Sequence, residues 1–404
     1  MIRIGLAYFD VGNLGDKVIY ETARFIVKKI LCEMNISEYE FVPIDIGSAK
    51  CRAQKLSLIH RIKQRHVENQ IVKHLNSNDA NKLRKSYYLK WKLSKDKIWF
   101  DNYEKNKLND VDLVFFCGGG LIKYHAQNFH HFLDDITSIA DKKNIPIIIS
   151  AAGVEGYDEN DVRCQILKQA INRECVKYIS TRDDYNSLVS NYIYNKNIVL
   201  RSVCDPAVYT KDYYEVEEVR NSKKIGLGVI RNNIFKQYMY YINRERMIDM
   251  YFALAKRFVE DGYQVEFFCN GLKNDARMIN RIFSTYPSLK NRYKVTKKIP
   301  RTTIELVNTI NSYNRFLAVR LHASIIGYSL EIPSVALVWN NKQILFGKQT
   351  GTESNYLTKE NFNDEIIYKK MSELKKPTLN QEFKESNYKS VKEALELVIN
   401  QIME

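Results

Sequence analysis

Short apolar runs recur along this chain, each closed by a small or charged residue and followed by a stretch with helical spacing. This alternation restricts the fold more than any other feature. Runs at 3–9, 40–46, 111–117, 145–150, 177–181 and 197–202 read as strands, and 111–117 and 145–150 are apolar almost throughout, the pattern of strands buried on both faces of a parallel sheet. Helical spacing at 17–32, 128–141 and 161–172, with a further helix beginning at 182–184, supplies the crossovers that parallel strands require. A polar stretch rich in Tyr and Glu, 207–222, interrupts the pattern and reads as a linker. The alternation then restarts, with strands at 224–230, 264–269, 316–319 and 335–338 and helices at 247–261, 275–284, 302–311 and 323–330. Helical stretches at 340–348 and 386–403 end the chain.

These elements predict an α/β protein of two Rossmann-like domains, 1–206 and 223–404, facing a central cleft in a glycosyltransferase-B-like arrangement. A chain of 404 residues is long enough for two cores. Its 45% hydrophobic and 27% charged content is that of an ordinary folded protein. No apolar run approaches a membrane span, and the first residues read as a strand rather than a signal peptide, so a cytoplasmic location is expected. Seven cysteines without a Cys-x-x-Cys pair fit reduced thiols packed as small hydrophobes, Cys117 and Cys269 among them, and no metal or cofactor is expected.

The net charge of +15 is uneven: residues 50–107 hold sixteen Lys/Arg against five Asp/Glu. Leu56, Ile59, Ile62, Val67, Ile71 and Leu75 form an apolar stripe there, followed by Tyr87, Tyr88, Trp91, Trp99 and Phe100. The segment reads as a basic helical insertion in the first domain. It could pack on that domain, act as a lid, or rest on an anionic membrane surface.

The chemistry is expected at Phe316 to Pro333. A strand at 316–319, a turn holding Arg320 and His322, and a helix stopped by Pro333 place both side chains above the carboxyl end of a parallel sheet. A guanidinium, an imidazole and a helix start together invite an anion; alternatively, the pair caps and braces the fold from within. At Gly118-Gly-Gly120 three glycines follow a buried strand, where backbone N–H groups could approach a ligand or merely form a tight turn. The loop before the first helix holds Asn13 and Asp16 as caps and lacks the dinucleotide fingerprint Gly-x-Gly-x-x-Gly.

Asn13-Leu-Gly-Asp16, Gly118-Gly-Gly120, Ser180-Thr-Arg-Asp183, Asp205-Pro206, Gly228-Val-Ile-Arg231 and Arg320-Leu-His322 with Ile332-Pro333 occur in an order that resembles the polysaccharide pyruvyltransferase family. The resemblance runs from about residue 1 to 340 and leaves out the basic segment and the C-terminal tail. It implies a two-domain glycosyltransferase-B-like enzyme. Such an enzyme transfers the enolpyruvyl unit of phosphoenolpyruvate to a sugar of a bacterial capsule, exopolysaccharide or cell-wall intermediate, often on a lipid carrier. The usual product is a cyclic pyruvate ketal. The resemblance also implies that Arg231, Arg320, Leu321 and His322 line the phosphoenolpyruvate pocket.

The residues suit that chemistry. Two arginines can clamp a phosphate and a carboxylate, and a histidine can shuttle protons near neutral pH. Asp205 is a candidate acceptor-side base, although Asp-Pro is also an ordinary turn. Asn13, Asp16, Gly118, Gly119, Gly120, Tyr124 and Arg182 are candidates for holding the sugar. His125 and His130 could bond to it, while His125 and His131 lack the partners of a metal site. Two other readings stay open. One is a nucleotide-sugar glycosyltransferase in which Arg320 holds a diphosphate. The other is a basic protein that binds nucleic acid or anionic lipid, although no nucleic-acid module is recognisable and nucleic acid is not an expected partner.

Overall fold

The structure is a computed structural model that describes residues 1–9, 12–46, 75, 79–83, 104–124, 129–219, 222–238 and 242–403. Most of the basic segment expected as a helical insertion, including its apolar stripe as far as Ile71 and all its aromatic residues, lies outside the described residues, as does His125.

The first sheet comprises β1 (Ile2–Tyr8), β2 (Tyr39–Asp45), β3 (Leu113–Phe116), β4 (Gly119–Lys123), β5 (Ile147–Glu155), β6 (Val176–Thr181) and β7 (Val199–Ser202), with helices α1 (Leu14–Glu33), α2 (Phe129–Lys142) and α3 (Val162–Ile171) between them. The strand order is β2-β1-β3-β5-β6-β7 with β4 beside β5, and every pairing is parallel. Leu113 to Phe116 and Ile147 to Ile149 are wholly covered, which is why these strands are apolar without alternation.

The second sheet comprises β8 (Lys224–Gly228), β9 (Gln264–Phe268), β10 (Thr296–Lys298), β11 (Arg315–Ala318), β12 (Ser334–Leu337) and β13 (Tyr356–Leu357), in the order β10-β9-β8-β11-β12-β13 and again all parallel. Its helices are α4 (Arg244–Glu260), α5 (Lys273–Thr285), α6 (Thr303–Asn311), α7 (Leu321–Ser329), α8 (Asn341–Gln349) and α9 (Asp364–Ser372); α10 (Gln381–Met403) ends the chain. Each sheet has its own core, one built around Phe116, Ile136 and Ile149, the other around Leu227, Tyr251 and Leu317.

Close approach explains the glycine at the end of β8. A Cβ on Gly228 would lie 2.5 Å from the carbonyl oxygen of Leu317 in the neighbouring strand. Gly228→Ala must therefore spread β8 from β11, and overpacking of this kind costs about 1–3 kcal/mol. A urea unfolding curve should show the lowered midpoint, and an unchanged midpoint would mean that the strands part without strain.

The chain divides into two compact units, Met1–Val11 with Ala23–Cys204 and Asn387–Glu404, and Gly12–Thr22 with Asp205–Ser386. This division differs from a single crossing at 207–222. The end of α10 belongs with the first sheet because Tyr178 Oη lies 3.0 Å from Ser390 Oγ and donates to Glu393 at 2.7 Å, while Asn387 Nδ2 donates to the Cys204 carbonyl at 3.0 Å. The first turns of α1 belong with the second sheet. Leu14 N–H donates to the Asn270 carbonyl at 3.1 Å, and the Glu21 carboxylate accepts from Tyr214 Oη and from Thr303 Oγ1.

Residues 207–214 are not a bare linker. They form a 3-10 turn, Pro206–Tyr209, and a short helix, Thr210–Tyr214, with Ala207, Val208 and Thr210 fully buried. Ser329 Oγ donates to the Val208 carbonyl at 2.7 Å and accepts from Lys211 N–H at 3.0 Å, which ties the stretch to α7. Among the described residues no helix is long and apolar enough to cross a membrane.

Candidate functional site

Strands β9, β8 and β11 are neighbours and parallel, so the residues that follow them emerge along one edge of the second sheet. Arg231 follows β8, Asn270 follows β9, and Arg320 follows β11 as the N-cap residue of α7. The expected strand, turn and helix over 316–333 are present, with one difference: His322 is the second residue of the helix rather than part of the turn. α7 ends at Ser329, and Glu331 takes a left-handed φ of 57° before Pro333.

Asp275, in the first turn of α5, joins these strand ends. It has no solvent exposure. Its Oδ2 accepts from Arg320 Nε at 2.7 Å, and its Oδ1 accepts from the backbone N–H of Arg231 at 3.1 Å. Arg320 is held at Nε, and its two terminal nitrogens make no hydrogen bond among the described residues. Four oriented N–H donors on a mostly covered cation suit an oxyanion with two accessible oxygens.

His322 is 8% exposed, and its surroundings come from the start of α1. Its Nδ1 stands 3.5 Å from Asp16 Oδ1. A Cβ on Gly15 would fall 2.4 Å from His322 Cβ and 2.6 Å from Nδ1, so only glycine admits the ring at this distance. Asn13 braces the pair: its Nδ2 donates to Asp16 Oδ2 at 3.1 Å, and its Oδ1 accepts from Gly15 N–H at 3.3 Å. Asn270 is 2% exposed, and its side-chain nitrogen makes no hydrogen bond among the described residues. Beside it, burial pushes the Cys269 thiol up to about 11, which keeps it neutral.

The structure thus joins Arg320 and the Arg231 backbone through Asp275, and it sets His322, two residues after Arg320, against Asp16 and Asn13, which the sequence grouped instead with the Gly118 loop. Their placement differs from that expectation, since Asp16 faces His322 and bonds Asn13 within the second unit, whereas the Gly118 loop lies in the first. Asp275 and Asn270 were missed. An aspartate in the first turn of a polar helix reads as an ordinary favourable charge, and nothing near it in sequence points 45 residues ahead to Arg320.

The remaining candidates lie in the first unit or beside its boundary. Gly118 and Gly119 adopt φ of 89° and 99°, but Gly119 and Gly120 open strand β4 rather than a ligand-facing loop. β4 pairs with β5 through Gly119 and Ala152. Arg182 follows β6, is 7% exposed, and donates its N–H to the Ala152 carbonyl. Asp183 Oδ1 accepts from Val154 N–H at 2.6 Å, which matches a bracing role. The guanidinium carbon of Arg163 stands 5.6 Å from the ring centre of Tyr124. His130 and His131 are 2% and 8% exposed in the first turn of α2, with ring centres 3.9 Å apart. Asp205, 2% exposed, accepts from Ala207 N–H at 2.8 Å and caps the turn behind it, the structural role open to an Asp-Pro pair. A separate cavity of about 480 Å³, lined by Phe235, Met247, Met250, Leu337 and Phe362 among others, contains none of the candidate residues.

Comparison with solved structures gives matches across nearly the whole chain at low identity. UDP-GlcNAc 2-epimerase from Methanocaldococcus jannaschii is 13% identical, with 99% of this chain and 100% of that chain covered and a TM-score of 0.56. A putative UDP-N-acetylglucosamine 2-epimerase from Listeria monocytogenes is 11% identical, with 98% and 97% covered and a TM-score of 0.56. An S. aureus MnaA–UDP co-structure is 14% identical, with 100% and 98% covered and a TM-score of 0.55. At such identities the likeness establishes the glycosyltransferase-B type of two-domain α/β fold and nothing about activity. No curated protein matches the sequence. The family model described as polysaccharide pyruvyl transferase matches residues 52–341, which hold Arg231, Asp275, Arg320 and His322, and the chain belongs to that family of transferases.

Proposed function

We propose that this protein transfers pyruvate from phosphoenolpyruvate to two hydroxyls of a sugar, forming a cyclic ketal and releasing phosphate. One observation carries the reading: Arg320, held at Nε by a buried carboxylate, stands two residues from His322, whose Nδ1 faces a second carboxylate. The donor carries a phosphate and a carboxylate, and Arg320 and Arg231 are the groups to clamp them. Protonation of the methylene carbon makes C2 electrophilic. One sugar hydroxyl adds there, the C–O bond to phosphate breaks, and the second hydroxyl closes the ring. Of the two hydroxyl protons, one balances the new methyl group and the other leaves with phosphate. His322 is the proton carrier, and the arginines stabilise the departing phosphate.

The acceptor is a sugar of a bacterial capsule, exopolysaccharide or cell-wall intermediate, carried on a lipid at the inner face of the membrane. The basic segment 50–107 would then assist contact with anionic lipid.

The test supplies purified protein with phosphoenolpyruvate and a galactose- or N-acetylhexosamine-type acceptor, including a lipid-linked oligosaccharide. Expected are phosphate release and, by mass spectrometry, the mass increase of a pyruvate ketal on the acceptor. Turnover of a nucleotide sugar with indifference to phosphoenolpyruvate would replace this reading with a glycosyltransferase. Steeply salt-dependent binding to DNA or RNA without turnover would replace it with a binding protein.

A further inference from the structure

We propose that Asp16 is the positioning residue of His322: its carboxylate holds the imidazole as the Nδ1–H tautomer and so assigns the proton transfers to Nε2. The inference rests on the pyruvyl-transfer reading for the identity of the reaction, but not for the tautomer itself.

The argument begins with Asn13. Its amide orientation is set by the backbone, because Gly15 N–H donates to Asn13 Oδ1 at 3.3 Å and thereby identifies Nδ2 as the donating end. That Nδ2 donates to Asp16 Oδ2 at 3.1 Å, which directs the carboxylate's other oxygen, Oδ1, to His322 Nδ1 at 3.5 Å. A carboxylate accepts only, so the ring nitrogen facing it carries the proton. Gly15, where a Cβ would overlap the ring, keeps the imidazole pressed against this support. With both ring nitrogens protonated at the start, Nε2 gives its proton to the methylene carbon of phosphoenolpyruvate, which leaves the neutral Nδ1–H tautomer, and Nε2 then takes a proton back from an attacking sugar hydroxyl. The ring returns to its starting state with no other group changed.

The same geometry makes Asp16→Asn a sharp test. Because Asn13 Nδ2 still donates, the substituted amide must place its oxygen toward Asn13 and its NH2 group toward His322. Nδ1 would then face a donor, and the favoured neutral tautomer would invert to Nε2–H.

The experiment is nitrogen NMR of the full chain labelled with 15N-histidine, at a pH where the ring is neutral. The His322 signal is assigned by its loss in His322→Gln. The wild type should show Nδ1–H, Asp16→Asn should show Nε2–H, and Asp16→Ala should show a mixture. In turnover, Asp16→Asn should lower kcat by about 10²–10⁴-fold, the range for a proton carrier in the wrong state. KM for phosphoenolpyruvate should hold, because the Arg320–Asp275 pair is untouched. Nε2–H in the wild type, or one tautomer in all three proteins, overturns the assignment, as does full kcat in Asp16→Asn. Tautomer inversion in a protein that ignores phosphoenolpyruvate would sink the pyruvyl-transfer reading and leave the positioning role standing, so the two failures are distinct.

Discussion

Asp275→Ala should lower the stability of the protein by about 3–5 kcal/mol, the cost of removing one partner from a buried ion pair. The residue has no solvent exposure and accepts two hydrogen bonds, one from the Arg320 guanidinium and one from the Arg231 backbone. Without it, a side chain only 13% exposed keeps its charge with no counterion, and a backbone N–H at the end of β8 loses its acceptor. Arg320→Ala alone should also destabilise, since it strands the carboxylate. The double variant should recover part of the loss, with a coupling energy of about 0.5–3 kcal/mol. Urea unfolding of the four proteins measures this directly. A loss under about 1 kcal/mol for Asp275→Ala, the range of exposed pairs, would show the site to be open to water. Asp275→Ala should also raise KM for phosphoenolpyruvate, because Arg320 then loses the bond that aims its terminal nitrogens.

His322→Ala should leave the protein folded and lower turnover by about 10²–10⁴-fold, the usual contribution of a positioned general acid or base. The side chain packs in the first turn of α7 against Gly15, so truncation opens space there without removing a hydrogen bond of the helix backbone. KM for phosphoenolpyruvate should change far less than kcat, since the anion-binding donors lie on Arg320. Kinetics with saturating acceptor, alongside circular dichroism of the variant, separates the two effects. A rate equal to the wild type would remove His322 from the mechanism and leave the arginines as anion binders only.

The two variants probe different levels of organisation. Asp275 ties the residues that follow β8 and β11 to α5, so its loss should be felt in folding and in binding. In the proposed mechanism His322 acts on a reacting proton, so its loss should be felt in rate. The glycines are linked to both, because Gly228 sets the β8–β11 spacing and Gly15 sets the distance from α1 to the imidazole.

Much of this was legible in the residues. Unbroken apolar runs such as Leu113 to Phe116 announce strands covered on both faces, and a sheet of such strands must be parallel with helical crossovers. The stretch from Phe316 to Pro333 read as strand, turn and helix because each signal in it is local: an apolar run, a helical period, a proline stop. Arg320 and His322 could be singled out because their types and spacing are unusual at a strand end. The membership of each element in a unit was not legible. The end of α10 joins the first sheet through Tyr178 and Cys204, and the start of α1 joins the second through Asn270, and no periodicity encodes either choice.

Local pattern therefore settled which segments are strands and helices and that the sheets are parallel, and it singled out the two side chains proposed to bear the chemistry. Each of those depends on neighbours within a few residues. Tertiary contact alone decided that Asp275 would hold Arg320 from 45 positions away, and that Asp16 would meet His322 across some three hundred residues of chain. A carboxylate reads the same at the surface as in a pocket, and only burial and a facing donor give it its role.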